Sequence, residues 1–313
     1  MKKFLIGITL FLASCGMGTS ETPTIEGEQI LVTHFSGSTY VPLNPSRIIM
    51  LDMAAFETLS YLGLSHKIVG TSTQDLTPWI SHYSDIQNIG TMHNPNLELI
   101  VARDPDLIII SGRSRPMIDE LSQIAPTIDL AINNAHFWEY FTRNQYYLSR
   151  IFGKEEEVSY RISNIYTLKN ETRELAESYE GNALIVLYNN GALSAFGPSS
   201  RFGGLVHDTL GVSYVDENIE IVNHGAIISN EYIVEVNPDI LLVIDRGAWA
   251  GLGNPQMNRA DFENELIRLT EAYQNNNINY LDSVIWYLSP GGLRGVRNQF
   301  LEVQDALLSA LEG

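Results

Sequence analysis

Residues 99–113 and 232–246 carry the same pattern: an amphipathic stretch, a Pro-Asp corner, a short apolar run and an arginine just past it. Pro105 answers Pro238, Asp106 answers Asp239 and Arg113 answers Arg246, all at a constant offset of 133. The unit reads as helix, corner, strand. Proline stops a helix, and an unbroken apolar run suits a strand covered on both faces. Two such units predict two lobes of similar build. In open parallel sheets, residues just beyond the carboxyl ends of strands reach the ligand. Arg113 and Arg246 are therefore expected on opposite walls of one cleft.

The rest of the chain fits an α/β class. Apolar runs at 47–51, 67–70, 107–110, 183–188, 240–244 and 279–281 predict strands. Helices are expected over 54–62, ending at Gly63, over 97–103 and over 294–311. The alternation predicts parallel sheets covered by helices. Between 154 and 179 runs the longest helical pattern free of glycine and proline. A helix of that length spans about 39 Å and suits a rigid connector between lobes. The expected organisation is a leader at 1–15, a tether at 16–28, an N-terminal lobe at 29–150, a connecting helix at 151–180 and a C-terminal lobe at 181–313.

The first residues bear on the compartment. Lys2 and Lys3 precede an apolar run of about ten residues, the size of a signal-peptide core and too short to span a bilayer. The run ends in Leu12-Ala13-Ser14-Cys15, and Cys15 is the only cysteine. The arrangement resembles a bacterial lipobox, in which the cysteine is acylated and anchors the mature chain. An ordinary signal peptide with a cysteine near its cleavage site is the alternative reading. No intramolecular disulfide can form, so the fold must rest on its core, and an apolar content of 44% supplies one. The formal charge of −18 argues against nucleic acid or an anionic membrane surface as partner.

No motif points to catalysis. The chain lacks a Gly-x-Ser-x-Gly elbow, a His-Glu-x-x-His pair, a P-loop and a dinucleotide fingerprint, and its seven histidines are dispersed. Polar residues instead stand singly in turns. Arg201 sits in Ser199-Ser200-Arg201-Phe202-Gly203-Gly204 before a helix expected at 205–210. His224 sits in Val222-Asn223-His224-Gly225, and Tyr287 in Trp286-Tyr287-Leu288 after the last strand. With Arg113 and Arg246 they describe a site for a polyanion, and for a hard metal that accepts phenolate and imidazole. Guanidinium groups stay charged, donate in a planar fork and stack on aromatic rings.

These blocks, with Asp216-Glu217-Asn218, Asn237-Pro238-Asp239 and Tyr280-Leu281-Asp282, resemble the catecholate siderophore-binding proteins of iron ABC transporters. The N-terminal half agrees in Tyr40-Val-Pro-Leu-Asn-Pro45 and Ile110-Ser-Gly-Arg113. The resemblance implies two Rossmann-like lobes joined by one long backbone helix, with limited hinge closure. It implies no intrinsic cofactor, a ferric siderophore as ligand, and ABC permease subunits with their ATPase as partners. Arg113, Arg201 and Arg246 would form a cationic triad around the ferric catecholate. His224 and Tyr287 would complete the iron's coordination when the siderophore is tetradentate. Glu57 and Glu231 match lobe-top glutamates that dock onto the permease. The implied protein is an extracytoplasmic monomer anchored by lipid at Cys15, on either a periplasmic face or an exposed cell surface.

Two arginines depart from the family pattern. Arg294 would add positive charge at the cleft rim or sit on the first turn of the last helix, and Arg115 raises the same question beside Arg113. Other readings are a haem or corrinoid carrier on the same scaffold, a zinc or manganese binder, an envelope hydrolase using His224, and a structural envelope lipoprotein.

Overall fold

The computed structural model describes residues 24–73, 86–248 and 257–312. Cys15 and most of the expected tether lie outside the described residues. A three-stranded antiparallel sheet opens the chain, with β1 (Ile25–Glu26), β2 (Gln29–His34) and β3 (Gly37–Pro42). The N-terminal lobe follows with β4 (Ile48–Leu51), α1 (Met53–Tyr61), β5 (Ile68–Thr71), β6 (Gln87–Asn88), α2 (Leu97–Val101), β7 (Leu107–Ile110), α3 (Ile118–Ser122) and β8 (Thr127–Asp129). Its sheet is wholly parallel in the order β6-β5-β4-β7-β8. Every residue of β4 and β7 is buried, as their unbroken apolar runs require.

Helices α4 (Phe137–Phe152) and α5 (Glu155–Ser178) then leave the lobe. Gly153 between them adopts φ 62°, a left-handed helix end that glycine takes without strain. At 24 residues, α5 is about 36 Å long. The second lobe comprises β9 (Ala183–Asn189), β10 (Ala192–Phe196), β11 (Ala226–Ile228), α6 (Asn230–Val236), β12 (Ile240–Asp245), α7 (Arg259–Phe262), α8 (Glu271–Gln274), β13 (Ile278–Leu281), α9 (Ser283–Leu288) and α10 (Leu293–Glu312).

The repeated sequence unit does the same work in both lobes. β7 and β12 hold the same position in their sheets, fourth in β6-β5-β4-β7-β8 and in β11-β10-β9-β12-β13. At the first Pro-Asp corner, Asp106 accepts from the Ser46 N–H at 2.7 Å and the Arg47 N–H at 2.9 Å. At the second, Asp239 accepts from the Asn182 N–H at 2.8 Å. Each aspartate thus ties the start of its own strand to the start of the neighbouring one, which brings the two strands level.

The expectation of parallel sheets holds for the first lobe and needs correcting for the second. There β9, β12 and β13 are parallel, but β10 runs antiparallel to both of its neighbours, β9 and β11. The cause is local. Asn190 (φ 51°) and Gly191 (φ 88°) form a two-residue hairpin that turns the chain straight back along β9.

The last helix bridges the lobes, since α10 packs on α1 and α5 as well as on α9. One continuous core consequently runs from the first lobe through Phe141, Ile165, Phe202, Trp286 and Phe300 into the second. In β9 and β12, Ile185, Leu187, Leu242 and Ile244 join this core. The alternating Leu184, Val186, Leu241 and Val243 pack into a smaller one on the opposite sheet face. Because the main core is shared, large rotation of one lobe against the other would expose apolar surface.

Candidate functional site: an arginine-lined cleft

A cavity of about 810 Å³ lies between the lobes, within the range typical of small-molecule sites. It is lined from the first lobe by Asp52, Arg113 and Phe35 and from the second by Arg201, His224 and Tyr287, among others. Its floor follows from strand topology. Arg113 stands three residues past the end of β7, and Arg246 directly follows β12. The two strands of the repeat thus aim their arginines into one space, as the constant offset predicts.

Tyr287 is the centre of this arrangement. It belongs to α9, whose N-cap Asp282 accepts from the Val284 and Ile285 N–H groups. Tyr287 is 8% exposed. Arg201 lies 4.3 Å from its centroid, Arg246 5.4 Å and Arg113 5.5 Å. Arg201 Nη2 also donates to the Tyr287 carbonyl oxygen at 2.6 Å. Among the described residues none of the three guanidiniums pairs with a carboxylate. The Nε of Arg246 is buried without a hydrogen-bond partner.

Three like charges around one ring carry a standing electrostatic cost. Burial lowers the pKa of Arg201, Arg113 and Arg246 push the same way, and Tyr287 opposes them. The ring face offsets part of the repulsion through its quadrupole. The remainder is relieved when a polyanion enters, because each guanidinium then gains the counter-charge it lacks. The arrangement therefore favours a multiply charged anion with planar oxygen pairs. His224 is exposed on the cavity wall, beyond the Gly225 turn.

Other cleft residues escaped the sequence reading. Asp52, the last residue before α1, caps that helix by accepting from the Ala54 N–H at 2.8 Å and the Ala55 N–H at 3.2 Å. Burial raises its pKa to about 7, an effect the capping N–H groups partly oppose. Its signal was available, an aspartate between an apolar run and a helical pattern. Phe35 comes from the β2–β3 hairpin, far from the repeated unit.

Arg115 is not a fourth free cation. Its Nε lies 2.6 Å from Asp129 Oδ2, and its guanidinium covers the Phe35 ring at 3.8 Å. Arg294 is absent from the cleft lining and sits instead on the first turn of α10, 5.2 Å from the Tyr61 ring centroid.

Glu57 requires correction. The resemblance implied a lobe-top docking carboxylate, but its side chain is buried, with the residue 1% exposed. It accepts from the Arg294 N–H at 2.9 Å and stands against Gly292, joining α1 to the start of α10. A carboxylate enclosed by its own fold is not available to a permease. Glu231, in the first turn of α6, is exposed.

A family model described as "Periplasmic binding protein" matches residues 48–285, and the chain belongs to that family. It is 37% identical to the petrobactin-binding protein YclQ of Bacillus subtilis, over 98% of this chain and 99% of that protein. The crystal structure of YclQ superposes with a TM-score of 0.84 at 38% identity, covering 90% of this chain and 99% of that one. The ferric-anguibactin-binding protein FatB of Vibrio anguillarum is 31% identical, over 86% of this chain and 84% of that protein. The periplasmic catecholate-siderophore binding protein VctP of Vibrio cholerae gives a TM-score of 0.83 at 29% identity, covering 89% and 100% of the two chains.

Proposed function

We propose that this chain is the substrate-binding lipoprotein of an ABC importer, and that it captures a ferric siderophore of catecholate type for delivery to a membrane permease. The observation that carries the reading is the cluster of Arg113, Arg201 and Arg246 around Tyr287 without a carboxylate partner. A ferric catecholate complex is a compact polyanion with flat aromatic faces. It would satisfy the three guanidiniums by charge and stack on them by shape. The names of YclQ, FatB and VctP place siderophores as ligands of relatives at 29–37% identity.

In this reading the protein carries no reaction. The arginines attract and desolvate the complex, and the shared core limits the lobes to a small closing adjustment. His224 and Tyr287 supply iron ligands where a siderophore leaves coordination positions open. The lipid at Cys15 holds the protein on the outer side of the membrane, and Glu231 contributes the C-terminal lobe's docking carboxylate. The protein acts as a monomer.

The test is a tryptophan-quenching titration with ferric tris-catecholate and bis-catecholate complexes, using apo-siderophores as controls. Saturable quenching in the range of about 1 nM to 1 μM supports the reading. A charge-transfer band that shifts in Tyr287→Phe only with the bis-catecholate supports Tyr287 as iron ligand. Absence of quenching by every ferric catecholate overturns the catecholate assignment.

A further inference from the structure

A second cavity, of about 360 Å³, opens where α1, α5 and α10 meet. Its polar lining is Tyr61 from α1, Arg161 and Asn164 from α5, and Arg294, Arg297 and Asn298 from α10. Both side-chain pairings follow from helix periodicity. Residues three apart share a face, so Arg294 and Arg297 stand together on α10 as Arg161 and Asn164 do on α5. Among the described residues no carboxylate lines the wall, in a chain with 37 acidic and 19 basic residues.

The cations are organised rather than merely close. The Arg161 guanidinium lies 4.5 Å from the Tyr61 ring centroid and that of Arg294 lies 5.2 Å from it, so one ring holds both. Arg161 Nη1 donates to Tyr61 Oη at 2.8 Å, and its Nε is buried with no hydrogen-bond partner. The only carboxylate paired with this group among the described residues is Glu157, 3.7 Å from Arg161 Nη2. Arg297 is exposed, and its side chain has no ion pair or hydrogen bond among the described residues. The nearby Glu57 carboxylate accepts from the backbone N–H groups of Arg294 and Gly295 and feels the Arg294 charge, but it forms no ion pair with that guanidinium among the described residues.

We propose that this cavity is a second, independent anion site that binds a phosphate-class oxyanion through Arg161, Arg294 and Arg297, with Asn164 and Asn298 as flanking amide donors. Three guanidiniums converging on one small space match the tetrahedral oxygens of a phosphate group. Free inorganic phosphate and the phosphate of an anionic lipid headgroup present the same chemistry. The site shares no arginine with the cleft, so it stands or falls separately from the siderophore reading.

The experiment uses the chain carrying Cys15→Ser, so that no acyl group can attach there. Inorganic phosphate binding is followed by calorimetry and by phosphorus NMR line broadening. Binding to vesicles of phosphatidylcholine with and without phosphatidylglycerol is followed by flotation. Arg297→Gln and Arg294→Gln are compared with Arg201→Ala, which removes a cleft cation instead. Phosphate affinity that falls about tenfold in Arg297→Gln and survives Arg201→Ala supports the site with a free anion as ligand. Phosphatidylglycerol-dependent flotation with the same variant pattern supports it with a lipid headgroup as ligand. Binding that depends on Arg201 and not on Arg294 or Arg297 overturns the proposal, as does the absence of both phosphate and phosphatidylglycerol binding.

Discussion

Arg201 and Tyr287 are joined twice: the guanidinium donates to the tyrosine's carbonyl oxygen at 2.6 Å and covers its ring at 4.3 Å. One side chain thus positions α9 and presents charge to the cleft. Replacing it by alanine removes both functions, leaving a buried carbonyl oxygen unpaired and a ligand charge uncompensated. Arg201→Ala is expected to weaken ferric siderophore binding by about 2–5 kcal/mol, roughly 30-fold or more. Arg201→Lys should recover little, since an ammonium cannot both fork to a carbonyl and lie flat on a ring. Quenching titrations of the two variants check this, and a lysine variant with full affinity would show that charge alone matters.

Two buried carboxyls set an acid-side dependence of stability. Burial raises Glu57 from 4.5 and Asp52 from 3.8, each to about 7, with neighbouring N–H groups opposing the shift. Below the unfolded values both forms are protonated and their contribution is complete. As pH rises toward about 7 the unfolded chain releases these protons first, so the contribution is lost. Glu57→Gln should remove its share of that decline, on the order of 3 kcal/mol between about pH 4 and 8. Urea melts of both proteins across that range supply the difference; parallel curves would show that the Glu57 pKa does not change on folding.

Gly204 marks a place where the lobes meet with no room to spare. A Cβ there would overlap the carbonyl group of Asn134, which stands on the other side of the cleft. Gly204→Ala should destabilise the fold by about 1–3 kcal/mol, lowering the urea midpoint without altering the slope. An unchanged midpoint would mean that the two segments separate readily.

Docking and capture should come apart at Glu231. It is exposed on α6 and does not line the cleft. Glu231→Arg is expected to leave ferric siderophore affinity within about twofold, a surface change well under 0.5 kcal/mol, while cellular uptake of radioactive iron drops. Equal uptake would remove Glu231 from the docking surface.

Much of this molecule was legible in its sequence because the signals were local. Buried strands announce themselves as apolar runs, and residues 107–110, 240–244 and the long helix fell within a residue or two of their place. The repeated corner even predicted that Arg113 and Arg246 would face one space, since a duplicated unit repeats its strand-end geometry. The antiparallel β10 was legible too, in Asn190-Gly191, but the alternating pattern around it drew attention to parallel strands.

What the sequence determined alone was the class of fold, the two lobes and the identity of the cleft arginines, each carried by neighbours along the chain. The tertiary structure alone decided how free each charge is. Glu57 and Arg294 are 237 positions apart, and only packing of α10 on α1 buries the first against the backbone of the second. Arg115 is neutralised by Asp129 and Arg201 is not, though both stand as single arginines in turns. Charge availability depends on distance and desolvation, which residues remote in sequence supply only once the chain has folded.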